Sequence, residues 1–210
     1  LIMVHGDDKG LRLPPRLAPV QIVIIPIIKN DDDLIKIKDF VKPMLDQFNN
    51  NKIRYHFDDR LKITPGFKFN EWEMKGVPIR IEVGPRDMKS KSIFISRRDV
   101  NEKKSIKIDG SMNKLKNLLD EIQSNMFLQA KKFRDENIFT VESYDEFKSI
   151  IKNGGFIRCY WDGSAKSEGA IKRDTKATIR CILLSCNEND KQCIYSGNSA
   201  KYEVVYAKAY

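Results

Sequence analysis

The sequence predicts an α/β fold: a mixed, mostly parallel sheet with helices packed on it, followed by a small α+β domain. Short β-branched runs alternate with segments of helical periodicity through the first half of the chain. One long amphipathic stretch, 112–134, follows them. Beyond Glu142 a new capping signal opens a second series of helices and strands. With 210 residues, 41% of them hydrophobic, the chain can bury one or two cores and is not a disordered tail.

Residues 1–4 read as a short strand, and Leu13, Pro14 and Pro15 as a connector, because paired prolines continue neither a ladder nor a helix. Residues 20–28 read as a buried strand, too short to span a bilayer. A helix over 31–50 starts with Asp31, Asp32 and Asp33, which suit the positive end of its dipole. Its apolar face is Leu34, Ile37, Val41, Met44, Leu45 and Phe48, and Pro43 predicts a kink or break. A short strand covers 53–57. Thr64 caps a helix that begins at Pro65 and ends at Gly76. In 78–83, Ile79, Ile81 and Val83 alternate with Arg80 and Glu82, as in a half-buried strand. Another strand, 92–96, leads into a basic loop. In 112–134, Met112, Leu115, Leu118, Leu119, Ile122 and Met126 form a core-facing stripe.

In the second region Ser143 and Glu146 form a capping box ahead of Phe147, Ile150 and Ile151, and Gly154 and Gly155 stop that helix. A strand (156–160), a helix (164–174), a strand (178–184), a polar loop around 187–191 and two short terminal strands complete the reading.

The formal charge of +9 and pI of about 9.3 point to a polyanionic partner, or to a lysine-rich solvated surface. The densest basic segment, 86–107, holds Arg86, Lys89, Lys91, Arg97, Arg98, Lys103, Lys104 and Lys107 against Asp87, Asp99 and Glu102. Such a cluster either neutralises phosphates or is a solvated hairpin. Glu73 and Arg80 flank the turn of Gly76, Val77 and Pro78. A guanidinium donates two parallel bonds to the O6/N7 edge of guanine, and a carboxylate accepts from amino or imino groups. The alternative is a structural ion pair between the two. Phe67, Phe69 and Trp72 either stack on unpaired bases or fill core.

His5 and His56 sit in no nucleophile motif, and the chain has neither a P-loop nor a dinucleotide fingerprint, so by itself it is not expected to be an enzyme. No charged n-region leads an apolar stretch, and no secretory signal is read. The chain opens with Leu1 inside an apolar segment, which predicts a piece of something longer. Cys159, Cys181, Cys186 and Cys193 form no Cys-x-x-Cys pair, and reduced thiols are expected.

Residues 4–21, ending in Ala18, Pro19, Val20 and Gln21, resemble the exit from the catalytic domain of class IIa aminoacyl-tRNA synthetases. Residues 64–87, from Thr64 and Pro65 through Trp72, Glu73, Gly76, Pro78 and Arg80 to Asp87, resemble the prolyl-tRNA synthetases in particular. The type is the archaeal and eukaryotic one that also occurs in some bacteria, and the terminal 207–210 ending in Tyr210 resembles it too.

The resemblance implies that 1–19 is the end of a catalytic domain and its linker, 20–107 a five-stranded anticodon-binding domain, 108–141 a connecting helix and 142–210 a C-terminal domain. It implies that Glu73 and Arg80 face the two guanines of a UGG-type anticodon, with Lys103 assisting and Arg97, Arg98 and Lys104 as weaker backbone contacts. The whole enzyme would be a cytoplasmic, homodimeric proline–tRNA ligase, without a membrane, charging tRNA(Pro) with the use of ATP and magnesium. The catalytic residues would lie upstream of Leu1, so none is assigned here, and the Tyr210 carboxylate would pack back toward the active site.

Many members of the family bind zinc through four cysteines. Here Trp161, Asp162 and Gly163, then Ser167 and Glu168, stand at the early position, and Cys193 alone matches at the late one. Structural zinc needs four nitrogen or sulfur ligands, so no zinc is expected. Cys159 and Cys181 are expected to be buried small hydrophobes. The competing readings are a free-standing accessory RNA-binding protein that uses this domain and, third, a sister synthetase such as the threonyl or histidyl enzyme.

Overall fold

The computed structural model describes residues 1–28, 30–100, 102–184 and 191–208, in two compact units, Leu1–Ala130 and Lys131–Tyr210. Cys186, Tyr210 and most of the polar 187–191 loop lie outside the described residues.

The first unit is built on a five-stranded sheet of β1 (Ile22–Pro26), β2 (Tyr55–Phe57), β3 (Ile79–Val83), β4 (Ser92–Arg97) and β5 (Lys103–Lys107), in the order β2-β1-β3-β4-β5. β1 pairs parallel with β2 and β3, whereas β3–β4 and β4–β5 are antiparallel. The sheet is therefore mixed, but evenly so, with a parallel half and an antiparallel half. The difference from a mostly parallel sheet comes from β5, which the sequence reading leaves as a basic loop. In β5 only Ile106 is apolar, so no alternation reveals it, and its lysines suit an edge strand that must not pair further.

Helix α2 (Asp31–Asn50) runs through Pro43 without a break. Pro43 is solvent-exposed, so water can bond the carbonyl that the missing N–H frees. Ile37, Val41, Met44 and Phe48 hold the helix to the sheet on both sides of it. The Asn30 side chain caps the first turn by accepting from the Asp33 N–H at 2.9 Å. The long α5 (Ser111–Glu136) packs its expected stripe onto the same face, against Ile22, Ile24, Ile79, Ile81, Ile93 and Ile95. Each fully buried isoleucine contributes about 1.5–3 kcal/mol.

The opposite face is covered only in part. Helix α3 (Pro65–Met74), capped by Thr64, lays Trp72 on Val23 and Ile25 of β1, with Val77 beside it. Along β1 both faces are therefore buried, which is why its apolar run is continuous. A short α1 (Ile2–His5) replaces the strand expected at 1–4, closed locally by the His5 N–H bond to the Leu1 carbonyl at 2.8 Å. Its β-branched residues find no neighbouring strand among the described residues. Helix α4 (Pro85–Lys89), which no reading anticipates, is one turn long.

In the second unit β6 (Ile138–Thr140), β7 (Phe156–Trp161), β8 (Ala177–Ile182) and β9 (Tyr202–Lys208) form a sheet in the order β6-β7-β9-β8. Helices α6 (Tyr144–Asn153) and α7 (Ala165–Thr175) contribute Phe147, Ile151 and Ile171 to its core. The two short terminal strands expected are one strand, β9, at the centre of the sheet, and its inner five residues are all buried. Cys159 is buried as expected, but Cys181 is exposed. It follows a bulge between Ile179 and Cys181 on the edge strand β8, where its side chain leaves the core.

Candidate nucleic-acid interface

Strand register creates the site. Val23 of β1 lies opposite Arg80 of β3, Arg80 opposite Ser96 of β4, and Ser96 opposite Lys103 of β5. Residues so paired share one face of a sheet. Helix α3 covers the Val23 end of this row, and over Arg80, Ser96 and Lys103 a cavity of about 240 Å³ opens. Lys9, Glu73, Arg97 and Arg98 complete its polar wall. The residues predicted to read bases, Glu73 and Arg80, and the assisting Lys103 thus border one pocket, although they lie on α3, β3 and β5.

Glu73 and Arg80 do not pair with each other. The Arg80 guanidinium donates from Nε to Glu82 Oε1 at 3.0 Å and sits 4.3 Å over the Phe69 ring centroid. Glu82 is two residues along the same strand, on the same face. One edge and one face of the guanidinium are so occupied, and Nη1 has no protein partner among the described residues. Glu73, in the last turn of α3, faces Lys9 Nζ at 3.3 Å. Both groups are oriented by neighbours and retain hydrogen-bonding capacity toward the cavity. Lys103 is exposed and has no ion-pair partner among the described residues.

The aromatic residues divide. Trp72 is core, Phe69 lies under Arg80, and Phe67 is exposed. Trp72 also fixes α3: its Nε1 donates to Asp58 Oδ2 at 2.8 Å, while Lys68 Nζ donates to the Asp58 carbonyl at 2.9 Å. Burial pushes the Asp58 carboxyl up, but hydrogen bonds from Arg60 and Trp72 and the Lys68 charge outweigh it and hold the group well below the usual range.

Two of the arginines expected on RNA backbone are engaged internally. Arg97 donates to both oxygens of Asp99, at 3.0 and 2.8 Å, and Asn125 adds a third bond to that buried carboxylate. Burial raises the Asp99 carboxyl, and the Arg97 and Asn125 bonds override it and lower it. Arg98 forks onto Asp7, whose carboxyl its hydrogen bonds bring down to about 2. Lys104 is exposed, with only a long 3.6 Å pair to Glu102, but follows Lys103 in the strand and so faces the other side of the sheet.

Segment 7–13, expected as part of the end of a catalytic domain and its linker, is part of the wall. The Leu11 N–H bonds the Met74 carbonyl at 2.9 Å and the Leu13 N–H the Gly76 carbonyl at 3.1 Å. A Cβ on Gly10 would meet the Met74 backbone at 2.6 Å, and Gly10 has φ +120, so only glycine fits. No sequence motif marks Lys9. The Arg80–Glu82 pair, by contrast, is legible from strand alternation.

In the second unit Asp162 accepts from Ser164 N–H at 2.9 Å, from Ser167 Oγ at 2.6 Å and from Ser196 Oγ at 2.7 Å. These residues span the two segments where the family resemblance would put zinc ligands. They do not fit the metal: the oxygens are engaged with one another, and no group of three His, Cys, Asp or Glu side chains gathers for an ion among the described residues. Cys159 is a buried thiol pushed up to about 12 by burial, which leaves it a poor ligand and nucleophile.

Two family models match the chain: "Anticodon binding domain" over residues 21–118 and "Prolyl-tRNA synthetase, C-terminal" over residues 144–210. Among curated proteins the chain is 44% identical to a proline–tRNA ligase of Flavobacterium psychrophilum, over 100% of this chain and 43% of that protein. It is also 44% identical to a proline–tRNA ligase of Roseiflexus, over 100% of this chain and 44% of that one. The chain therefore spans less than half the length of these relatives. It is also similar to the crystal structure of a prolyl-tRNA synthetase from Cryptosporidium parvum complexed with L-proline and AMP, with a TM-score of 0.90 and 32% identity over 100% of this chain and 44% of that one.

Proposed function

We propose, from the premise that this chain belongs to the prolyl-tRNA synthetase family, that it reads the anticodon loop of tRNA(Pro) for a proline–tRNA ligase. The observation that carries the reading is the common pocket of Glu73, Arg80 and Lys103 on the uncovered half of the first sheet. Arg80, held on Phe69 and Glu82, offers guanidinium donors to the O6/N7 edge of one guanine. Glu73 accepts from the N1–H and amino group of the other. Lys103, on the edge strand, meets a phosphate without reading sequence. Lys104 on the far side of that strand adds a weaker charge, and the internal pairs of Arg97 and Arg98 give those residues structural work instead.

The whole ligase, in this reading, is a cytoplasmic homodimer that uses ATP and magnesium to activate proline. No residue of this chain is assigned to that chemistry. Among the described residues no helix is long and apolar enough to cross a membrane. A free-standing accessory RNA binder finds less support, because the chain carries two domains in the same order as its ligase relatives.

The test is binding of the chain to a proline-type anticodon stem-loop and to unrelated stem-loops at two salt concentrations. A preference for the UGG loop that survives higher salt is expected. Weak binding to every loop, erased by salt, would remove the base-reading assignment.

A further inference from the structure

Arg98 lies in the densest basic segment of the chain, yet its side chain is only 5% exposed. Nη1 and Nη2 donate to the two carboxylate oxygens of Asp7 at 2.7 and 2.5 Å, and Nε donates to the Glu73 main-chain carbonyl at 3.0 Å. The Arg98 N–H bonds the Pro78 carbonyl at 3.0 Å. One residue thus joins the end of β4, the last turn of α3, the turn into β3 and segment 7–13.

These are the elements that place Glu73 relative to Arg80. Carbonyls in the last turn of a helix lack intrahelical partners, and such ends fray unless something else accepts the load. The Glu73 carbonyl is bonded by Arg98 Nε and by the Gly76 N–H at 3.0 Å. Gly76, with φ +75, turns the chain out of the helix against the Leu11 backbone, where a Cβ would come within 2.7 Å. A base-reading carboxylate must be held to within about 0.5 Å of its productive position.

We propose that the Asp7–Arg98 pair is a positioning clamp for base recognition: it sets where the Glu73 carboxylate stands opposite Arg80, and it contacts no RNA itself. This rests on the proposed reading of Glu73. Arginine is required because its planar fork serves a carboxylate on one edge and a carbonyl through Nε, and lysine offers only a point charge. The clamp adds no net charge to the pocket wall, because Asp7 neutralises Arg98.

The test uses the full chain with Arg98→Lys, Asp7→Asn and Glu73→Gln, and a UGG-loop stem-loop in which each guanine in turn is replaced by inosine. Inosine lacks the amino group that the carboxylate accepts. Affinity is measured at several salt concentrations, with a urea unfolding midpoint for each variant. The unmodified chain should prefer guanine over inosine at one position by about tenfold. Arg98→Lys and Asp7→Asn should each reduce that preference to about twofold or less with the slope of log affinity against log salt unchanged. If Arg98→Lys does not fold, Asp7→Asn, which keeps the shape of the side chain, carries the same test. Intact preference with a slope reduced by about one would mean a phosphate contact and overturn the clamp. Intact preference with only a lower unfolding midpoint would make the pair structural and overturn it too. If Glu73→Gln leaves the preference unchanged while the clamp variants abolish it, the reading of Glu73 fails separately.

Discussion

In the first unit the ends of the sheet are tied by guanidinium–carboxylate forks, Arg97 on Asp99 and Arg98 on Asp7, with Arg60 on Asp58 behind them. In the second unit one node is held by hydroxyls instead: Ser167 and Ser196 converge on the single carboxylate Asp162. The difference separates the roles of charge. A fork fixes geometry and neutralises both partners, so a segment rich in arginine presents less free charge than its composition suggests. Within the pocket, what remains available to a polyanion is Lys103, which has no ion-pair partner among the described residues, and the partly engaged Arg80. The Asp162 node achieves its local order without cations, although Arg158 pairs with Glu203 between β7 and β9 of the same unit, and nothing in the node points toward RNA.

The largest expected effect breaks the anchoring of the first unit. Asp58→Ala strands the buried Lys68 and removes the acceptor of Trp72, and is expected to cost about 3–5 kcal/mol of unfolding free energy by urea denaturation. A loss below about 1 kcal/mol would show that α3 is held by apolar packing alone. Next, Arg80→Ala should weaken stem-loop binding by about 1–3 kcal/mol and blur discrimination at one guanine. Equal losses across unrelated loops would count against base reading there. Asp162→Ala should destabilise the second unit by about 1–2 kcal/mol and leave stem-loop affinity unchanged. A parallel fall in affinity would erase the contrast between the units.

A smaller effect lies in pH. Asp7 stands at about 2 in the folded chain against an ordinary 3.8, so its contribution to stability is complete above that ordinary value and is lost as pH falls through about 2. Asp7→Asn should flatten the acid limb of stability between those values. An acid limb identical to that of the unmodified chain would show that Asp7 carries none of it. The smallest change expected is Lys103→Ala, which should lower the salt slope by about one with little change in sequence preference. An unchanged slope would take Lys103 away from the phosphates.

The parts of the fold that were legible share a cause. The stripe from Met112 to Met126 and the alternation Ile79, Ile81, Val83 are periodic because one face is buried, and that periodicity is written in local sequence. The strand β5 and the helix α4 were not legible, since Lys103–Lys107 shows one apolar residue and 85–89 is a single turn. The continuity of β9 was hidden for a different reason: a central strand whose inner residues are all buried shows no alternation.

For the site, residue type and proximity to a turn raised Glu73, Arg80 and the basic segment as candidates, with a structural ion pair as the alternative, and the base-reading role came from the family resemblance. The separation of Arg97 and Arg98 from Lys103 was out of reach. All three are basic and lie within a few residues, and only the positions of Asp99 and Asp7 decide which cations are neutralised. Asp7 is 91 residues from Arg98 in sequence. Hydrophobic period, caps and turn residues act over a few positions, so the sequence by itself determined the longer helices and the strands with one buried face, and raised a polyanionic partner as one reading of the charge. Strand register and ion pairing join residues far apart in the chain. They alone decided that Arg80, Ser96 and Lys103 stand in one row, and that segment 7–13 closes the pocket.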